Sequence, residues 1–400
     1  MAKPTLALIP ASQGSKLFSV LPSSGVGDFD FSRGSAATRI NSQGLIENVA
    51  SGQSRLEYPL IDGVVNGCPS VLLEPQRTNL LTYSEDFSSY ILAAANRVSN
   101  FGISPTGTLN ATLIYPSSNS SSVGLYVSSP SSTVGTMSCF VKSSGKDFAI
   151  LGTDNNTSYY CVFDLANESV VYEPTNHEGK IEKYPNGWFR ISSTYVSSGG
   201  NYPFIGVADN SSGSVIVDGD NGILIFGLQY EHESFPTSYI KSNSGSATTR
   251  STETANGAGD ATTFNDSEGV LMAEISRKSG STESSSISLS DGTLSNAVSL
   301  YYFDANTLYV DIFNSSGTVT MSVGNLDTYI NNKISLKYKN GDSAIWINGV
   351  EKVTSINAIT LSGLNDLTFD YGNGAFYFYG KTKQIQYYNS ALTDSELEQL

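Results

Sequence analysis

Four hundred residues exceed what one hydrophobic core usually organises, so two domains and an N-terminal segment are expected. The 37 acidic and 22 basic residues give a net charge of −15, which argues against nucleic acid, whose phosphates demand a basic face, and against an anionic membrane. Only 15% of residues are charged, and the abundance of Ser, Thr, Asn, Gly and Tyr favours an all-β chain of short strands.

The opening MAKPTLALIPASQ carries one lysine and an apolar patch broken by Pro10, too short for a signal peptide, so the chain is expected to be made in a cytosol. Residues 1–81 are punctuated by Gly25, Gly27, Gly34, Gly44, Gly63 and Gly67, and their apolar residues come in small groups such as Leu56, Tyr58 and Leu60. They read as an irregular N-terminal docking arm, lying on its own next domain or on a neighbouring subunit. From 82 to 242, short alternating runs predict a jelly roll. Its strands include 108–115, 124–128, 134–142, 148–152, 159–164, 169–172, 188–195, 202–207, 214–217 and 222–230. Along 222–230, Leu224, Phe226, Leu228 and Tyr230 share one face, with Ile223, Ile225 and Gln229 on the other. Trp188 is expected to anchor this domain's core.

Residues 243–264, rich in Ser, Thr, Gly and Ala, read as an exposed linker. Within it, GSATTR (245–250) echoes GSAATR (34–39), as if bracketing the first domain. Residues 265–400 predict a second sandwich. Ile334, Leu336 and Tyr338 face in while Lys333, Lys337 and Lys339 face out. Asn340-Gly341 and Asn348-Gly349 suit tight turns, giving a three-strand meander through 344–347 and 350–353. The run 375–379 alternates too and leads into 384–388. Thr393 and Glu396 form a capping box that opens a short helix at Asp394.

Chemistry is sparse. His177 and His232 stand far apart and away from Cys68, Cys139 and Cys161, so neither a zinc site nor a disulfide framework is implied. No Gly-x-Ser-x-Gly occurs, and Gly380-Lys381-Thr382 follows Ala375 where a phosphate loop needs glycine. Glu231 and Glu233 are the best pair to flank a glycosidic bond, yet they stand at a turn beside Pro236, where solvated acids are common. No catalytic residue is assigned. Asp304, Asp311, Asp366 and Asp370 offer oxygens to calcium without EF-hand spacing, so the metal stays unassigned and no cofactor is expected. Trp346, Tyr377 and Tyr379 alternate with apolar neighbours. They are the candidates to stack on sugar rings, against the alternative that they only cover a sheet.

Several segments carry a resemblance. DFDFSRGSAATR (28–39) with GLIE (44–47), LLEPQRTNL (72–80) and SEDF (84–87) resembles the N-terminal region of a family of bacteriophage virion proteins. NGWFR (186–190), FGLQYE (226–231), TSYI (237–240) and Thr249-Arg250 look like the phage carbohydrate-binding-module-like jelly roll. Residues 265–400, ending YYNSALTD (387–394), look like a concanavalin-A-like or laminin-G-like sandwich. The resemblance implies a structural or adhesive virion component, a head or tail fibre or appendage, acting as a homo-oligomer such as a trimer. Its partners would be other virion proteins and a host-surface glycan, and its location the virion. Arg33, Arg39 and Arg77 would then pair with acidic groups of neighbours, or hold the arm to its own jelly roll. A glucanase of the sandwich family would carry Glu-x-Asp-x-x-Glu, which this sequence lacks, so no enzyme is expected. The alternatives are a polysaccharide depolymerase built on Glu231 and Glu233, and a prophage-encoded or bacterial surface lectin.

Overall fold

Period-two runs of apolar residues separated by glycine turns become antiparallel strands once each has a partner to bury its face. In the computed structural model, which describes residues 2–127, 134–154, 157–195, 202–278 and 285–400, that is the whole architecture. Among the described residues the only α-helix is Asp394–Leu397, and no helix is long and apolar enough to cross a membrane. The expected capping residue is in place, with the Thr393 amide donating to the Glu396 carboxylate at 3.1 Å.

The jelly roll opposes two six-stranded sheets. One runs Ile91–Ala93, Val123–Tyr126, Phe204–Ala208, Phe148–Gly152, Tyr160–Asp164 and Ser169–Tyr172. The other runs Ala95–Ile103, Leu109–Pro116, Gly222–Glu231, Gly135–Ser144, Trp188–Tyr195 and His177–Tyr184. Gly222–Glu231 is buried at every position because both faces of its sheet are covered. Ile223, Ile225, Leu228 and Tyr230 enter the core between the sheets, whereas Leu224 and Phe226 lie in a separate cluster with Trp188, Phe140 and Ile46. The expected face-sharing therefore breaks in the middle. The register slips where this strand passes Ser138 to Phe140, at Gly227 with φ +64°, and that bulge exchanges the two faces.

The second sandwich is larger than its sequence segment suggests. Its five-stranded sheet runs Gly317–Val323, Leu308–Asn314, Ala297–Tyr302, Ser285–Ser290 and Asp366–Thr368. The opposing sheet has eleven strands, five of which come from the first 81 residues. Leu6–Gln13 pairs with Gly380–Tyr388, Lys16–Leu21 and Phe29–Ser32 follow outward, and Ser70–Leu73 joins Gly380–Tyr388 beside Arg55–Glu57. Leu6, Leu8, Leu17, Phe29, Phe31, Val71 and Leu73 share one core with Leu271, Leu336 and Tyr387. Five strands of residues 1–81 thus complete the second sandwich, while Ile46 and Leu81 pack on the jelly roll, so the region is no irregular arm. Ile334, Leu336 and Tyr338 do face in, but Lys337 is also buried, reaching Asp342 at 2.8 Å. The run 375–379, expected to be extended, is irregular apart from an isolated bridge between Tyr377 and Ser286.

The stretch 243–264 is likewise no loose linker. Thr248–Arg250 pairs with Arg77–Asn79, and Thr254–Asn256 with Phe29–Ser32. It delivers Arg250 and Glu253, both fully buried, to an ion network shared with Arg33, Arg55 and Glu74. The Glu253 carboxylate accepts from Arg33 Nη1 at 2.6 Å, from Arg55 Nε at 2.8 Å and from the Glu74 amide at 2.8 Å. Glu74 lies 2.9 Å from both Arg55 Nη1 and Arg250 Nη1, and the Ser238 amide donates to it at 2.9 Å. Burial opposes charge on Glu74, but the Arg250 and Arg55 guanidinium groups override it and hold the carboxyl well below its usual range.

Of the arginines named from sequence as a docking set, Arg33 is consumed in this network and also donates to the Ser35 and Ala50 carbonyls. Arg39 pairs with Glu47 at the surface, and Arg77 lies over the Phe235 ring at 5.3 Å with Gln76 O as acceptor. All three bond within the chain.

Removing one member of a buried ion cluster leaves the others uncompensated. Glu253→Ala is expected to cost about 3–5 kcal/mol, against less than about 1 kcal/mol for the surface change Arg39→Ala. Urea denaturation of the full chain measures both, and equal midpoints would show that the network is dispensable.

Candidate functional site

On the five-stranded sheet, alternation sends Leu300, Tyr302, Leu308, Val310 and Ile312 into the core and turns Tyr301, Tyr309, Asp311 and Phe313 outward. Tyr301 and Tyr309 are cross-strand neighbours whose rings stack at 5.6 Å. Phe303 meets Tyr309 edge-on at 5.6 Å. The turn after Asp366–Thr368 then folds back over the same face. It brings Tyr371 edge-on to Tyr301 at 5.1 Å and Phe376 edge-on to Tyr371 at 5.8 Å. Between them lies a cavity of about 200 Å³ lined by Ser286, Tyr301, Phe303, Tyr371 and Phe376.

Asp311 fixes the rings. Its carboxylate accepts from Tyr301 Oη at 2.9 Å, from Thr320 Oγ1 at 2.6 Å and from Tyr371 Oη. Burial and the Asp311 charge push the Tyr301 phenol up to about 12 and Tyr371 further still, so both stay protonated donors. Their hydroxyls are thereby spent, and both residues still line the cavity. Phe303 and Phe376 remain 57% and 59% exposed, large values for phenylalanine. Phe376 also holds φ +51°, a conformation that costs a bulky residue energy and so needs the surrounding turn to impose it. Ser286, on the same side of its strand, is fully buried, and its Oγ has no hydrogen-bond partner among the described residues.

The residues named from sequence lie elsewhere. Trp346 is 5% exposed and packs with Val270, Tyr388, Leu392 and Leu397 beneath the C-terminal helix, so its ring cannot stack on a sugar. Tyr377 and Tyr379 are half-buried with rings 6.5 Å apart, and Tyr379 Oη bonds Thr252 Oγ1 at 2.9 Å. Neither lines the cavity, although their neighbour Phe376 does. The missed signal was the spacing of Tyr301 and Phe303, two apart on a strand with Tyr309 across from them. Glu231 and Glu233 diverge. Glu231 is fully buried and accepts from Gln229 Nε2 at 2.6 Å and Thr237 N at 3.0 Å, while Glu233 reaches Arg77 at the surface. A larger recess of about 400 Å³ includes Glu57, Lys183, Lys278 and Lys381, but those cations already pair with Glu168, Glu74 and Glu57.

No protein-family model and no curated protein matches this chain. Among solved structures it is similar to the CBM40 of Ruminococcus gnavus IT-sialidase bound to α2,3-sialyllactose, at 21% identity over 36% of this chain and 86% of that one, with a TM-score of 0.32. It is similar to domain 4 of AbnA, a GH43 extracellular arabinanase of Geobacillus stearothermophilus in complex with arabinotriose, at 17% identity over 37% and 72%, TM-score 0.31. The receptor-binding domain of botulinum neurotoxin type G follows at 16% identity over 37% and 38%, TM-score 0.28. Overlaps this slight leave the site to be read from its own residues.

The four aspartates named for calcium have separate tasks. Asp304 accepts from the Asn306 amide at 2.8 Å in a turn, and Asp311 holds the tyrosines. Among the described residues no group of three or more His, Cys, Asp or Glu side chains is placed to hold a metal ion. Asp366 is different. Burial, reinforced by the nearby Asp370 charge, pushes its carboxyl up to about 6. A raised folded-state value means its stabilisation is complete below about pH 4 and is lost as pH rises through 6. Asp366→Asn is therefore expected to stabilise the protein by roughly 1–2 kcal/mol at pH 7.5, after discounting for solvent screening, and by almost nothing at pH 4. Thermal melts of both proteins across that range measure it, and a constant difference would refute the assignment.

Proposed function

We propose that this protein is a non-catalytic display protein that binds a saccharide through the Tyr301–Phe303–Tyr371–Phe376 cleft. The observation that carries the reading is the cleft itself. Tyr301 and Tyr371, tied by their hydroxyls to a buried carboxylate, and the exposed Phe303 and Phe376 surround a hydroxyl with no partner among the described residues, a lining suited to the C–H face of a sugar ring. The fate of Glu231, tied to Gln229 and Thr237, supports a non-catalytic role over a depolymerase built on Glu231 and Glu233. The resemblance of 28–39, 72–80 and 186–190 to phage virion proteins supports placement in a head or tail fibre or appendage, working there as a homo-oligomer. Outside a particle, the same cleft would make a surface lectin.

Glycan-array screening of the full chain is expected to give specific binding. Phe303→Ala should weaken it roughly tenfold or more, and Trp346→Phe should leave it unchanged. Proteomic identification of the chain in purified phage particles tests the virion placement; its appearance only on a bacterial surface would favour the lectin setting.

A further inference from the structure

From the chemistry lining this cleft, and resting on the saccharide-binding reading above, we infer that the ligand is an uncharged pyranose ring, and that Ser286 is the residue that orients it. Among the described residues the lining is aromatic apart from Ser286, and no lysine or arginine contributes to it. The formal charge bonded to its tyrosines is Asp311, a carboxylate that accepts from three hydroxyl donors. An anionic sugar, such as a sialic or uronic acid, would bring a second negative charge beside Asp311 with no cation to compensate, onto a chain whose net charge is −15. A neutral ring meets no such cost.

Size points the same way. About 200 Å³ is below the range of sites that enclose a drug-sized ligand, so the cavity takes one ring and leaves the rest of a glycan outside. Phe303 and Phe376 are the exposed walls, placed to cover the apolar face of that ring. Ser286 supplies the single polar contact. A hydroxyl both donates and accepts, so Ser286 Oγ complements a sugar hydroxyl in either sense. Leaving that oxygen buried and unpaired has a cost in the free protein that the ligand removes.

The test uses the full chain against neutral hexose-terminated oligosaccharides and against sialylated or uronate-terminated ones of matched length, by array and then titration calorimetry. Neutral ligands should bind at least tenfold tighter, with little dependence on salt. Ser286→Ala should weaken binding about fivefold while leaving the melting temperature unchanged or higher, since it deletes an unpaired buried group. Phe376→Gly should relieve a strained backbone position and still abolish binding. Equal or tighter binding of the acidic panel would overturn the inference and leave saccharide binding standing. Binding of neither panel would instead sink the display reading on which it rests. Ser286→Ala that binds as wild type would remove Ser286 from the site.

Discussion

Two carboxylates taken wholly out of water stay ionised only where cations and hydrogen-bond donors meet them, and much of this fold is arranged to supply those partners. Glu74 enters from the first 81 residues and Glu253 from the segment joining the sandwiches, and each must be met by guanidinium groups from other parts of the chain. Arg33, Arg55 and Arg250 meet them at a point where the jelly-roll exit at Ser238 also arrives. A cluster of this kind gains little over apolar packing in free energy, but it tolerates few other arrangements. The segments around Arg33, Glu74, Ser238 and Glu253 are thereby held in one geometry, across separations of up to 220 residues.

That cluster also explains which parts of the sequence were legible. Compact runs of β-forming residues bounded by turn signals are legible to the residue, as at Phe148–Gly152, Ser169–Tyr172 and Trp188–Tyr195. So are the Asn-Gly turns and the box at Thr393, because those signals act within a few residues of themselves. The edge strand Ala95–Ile103 escaped notice because it exposes most of its residues and so carries no clear apolar period. The first 81 residues were misjudged for another reason. Their short strands find partners hundreds of residues away, and nothing local encodes a pairing such as Leu6 with Tyr387. Arg33, Glu74, Thr237, Ser238 and Arg250 all lie in the segments that carry the virion resemblance, yet their role in this structure is internal cohesion.

The cleft was only half legible. The sequence does show aromatics two apart at Tyr301 and Phe303, but the cavity needs the return of Tyr371 and Phe376 across the sheet, which is a tertiary event. Trp346 misled because a tryptophan in an alternating strand looks alike whether its face meets solvent or a terminal helix. Asp311 shows a recurrent economy. A single buried acid absorbs the hydroxyls of two tyrosines and a threonine, and in doing so turns polar residues into an apolar platform.

The pairing of Leu6–Gln13 with Gly380–Tyr388 has a consequence for biosynthesis. At ribosomal speeds of about 5–20 residues per second, Leu6–Gln13 waits roughly 20–75 seconds for Gly380–Tyr388 to emerge, paired meanwhile only with Lys16–Leu21 on its other side. Throughout that interval a hydrophobic edge is open to strangers, and a topology so non-local closes slowly once it can. Pro10 has no amide hydrogen to offer a partner and stands where the register slips between Leu8 and Ser12, which shortens the regular stretch that a wrong chain could pair with.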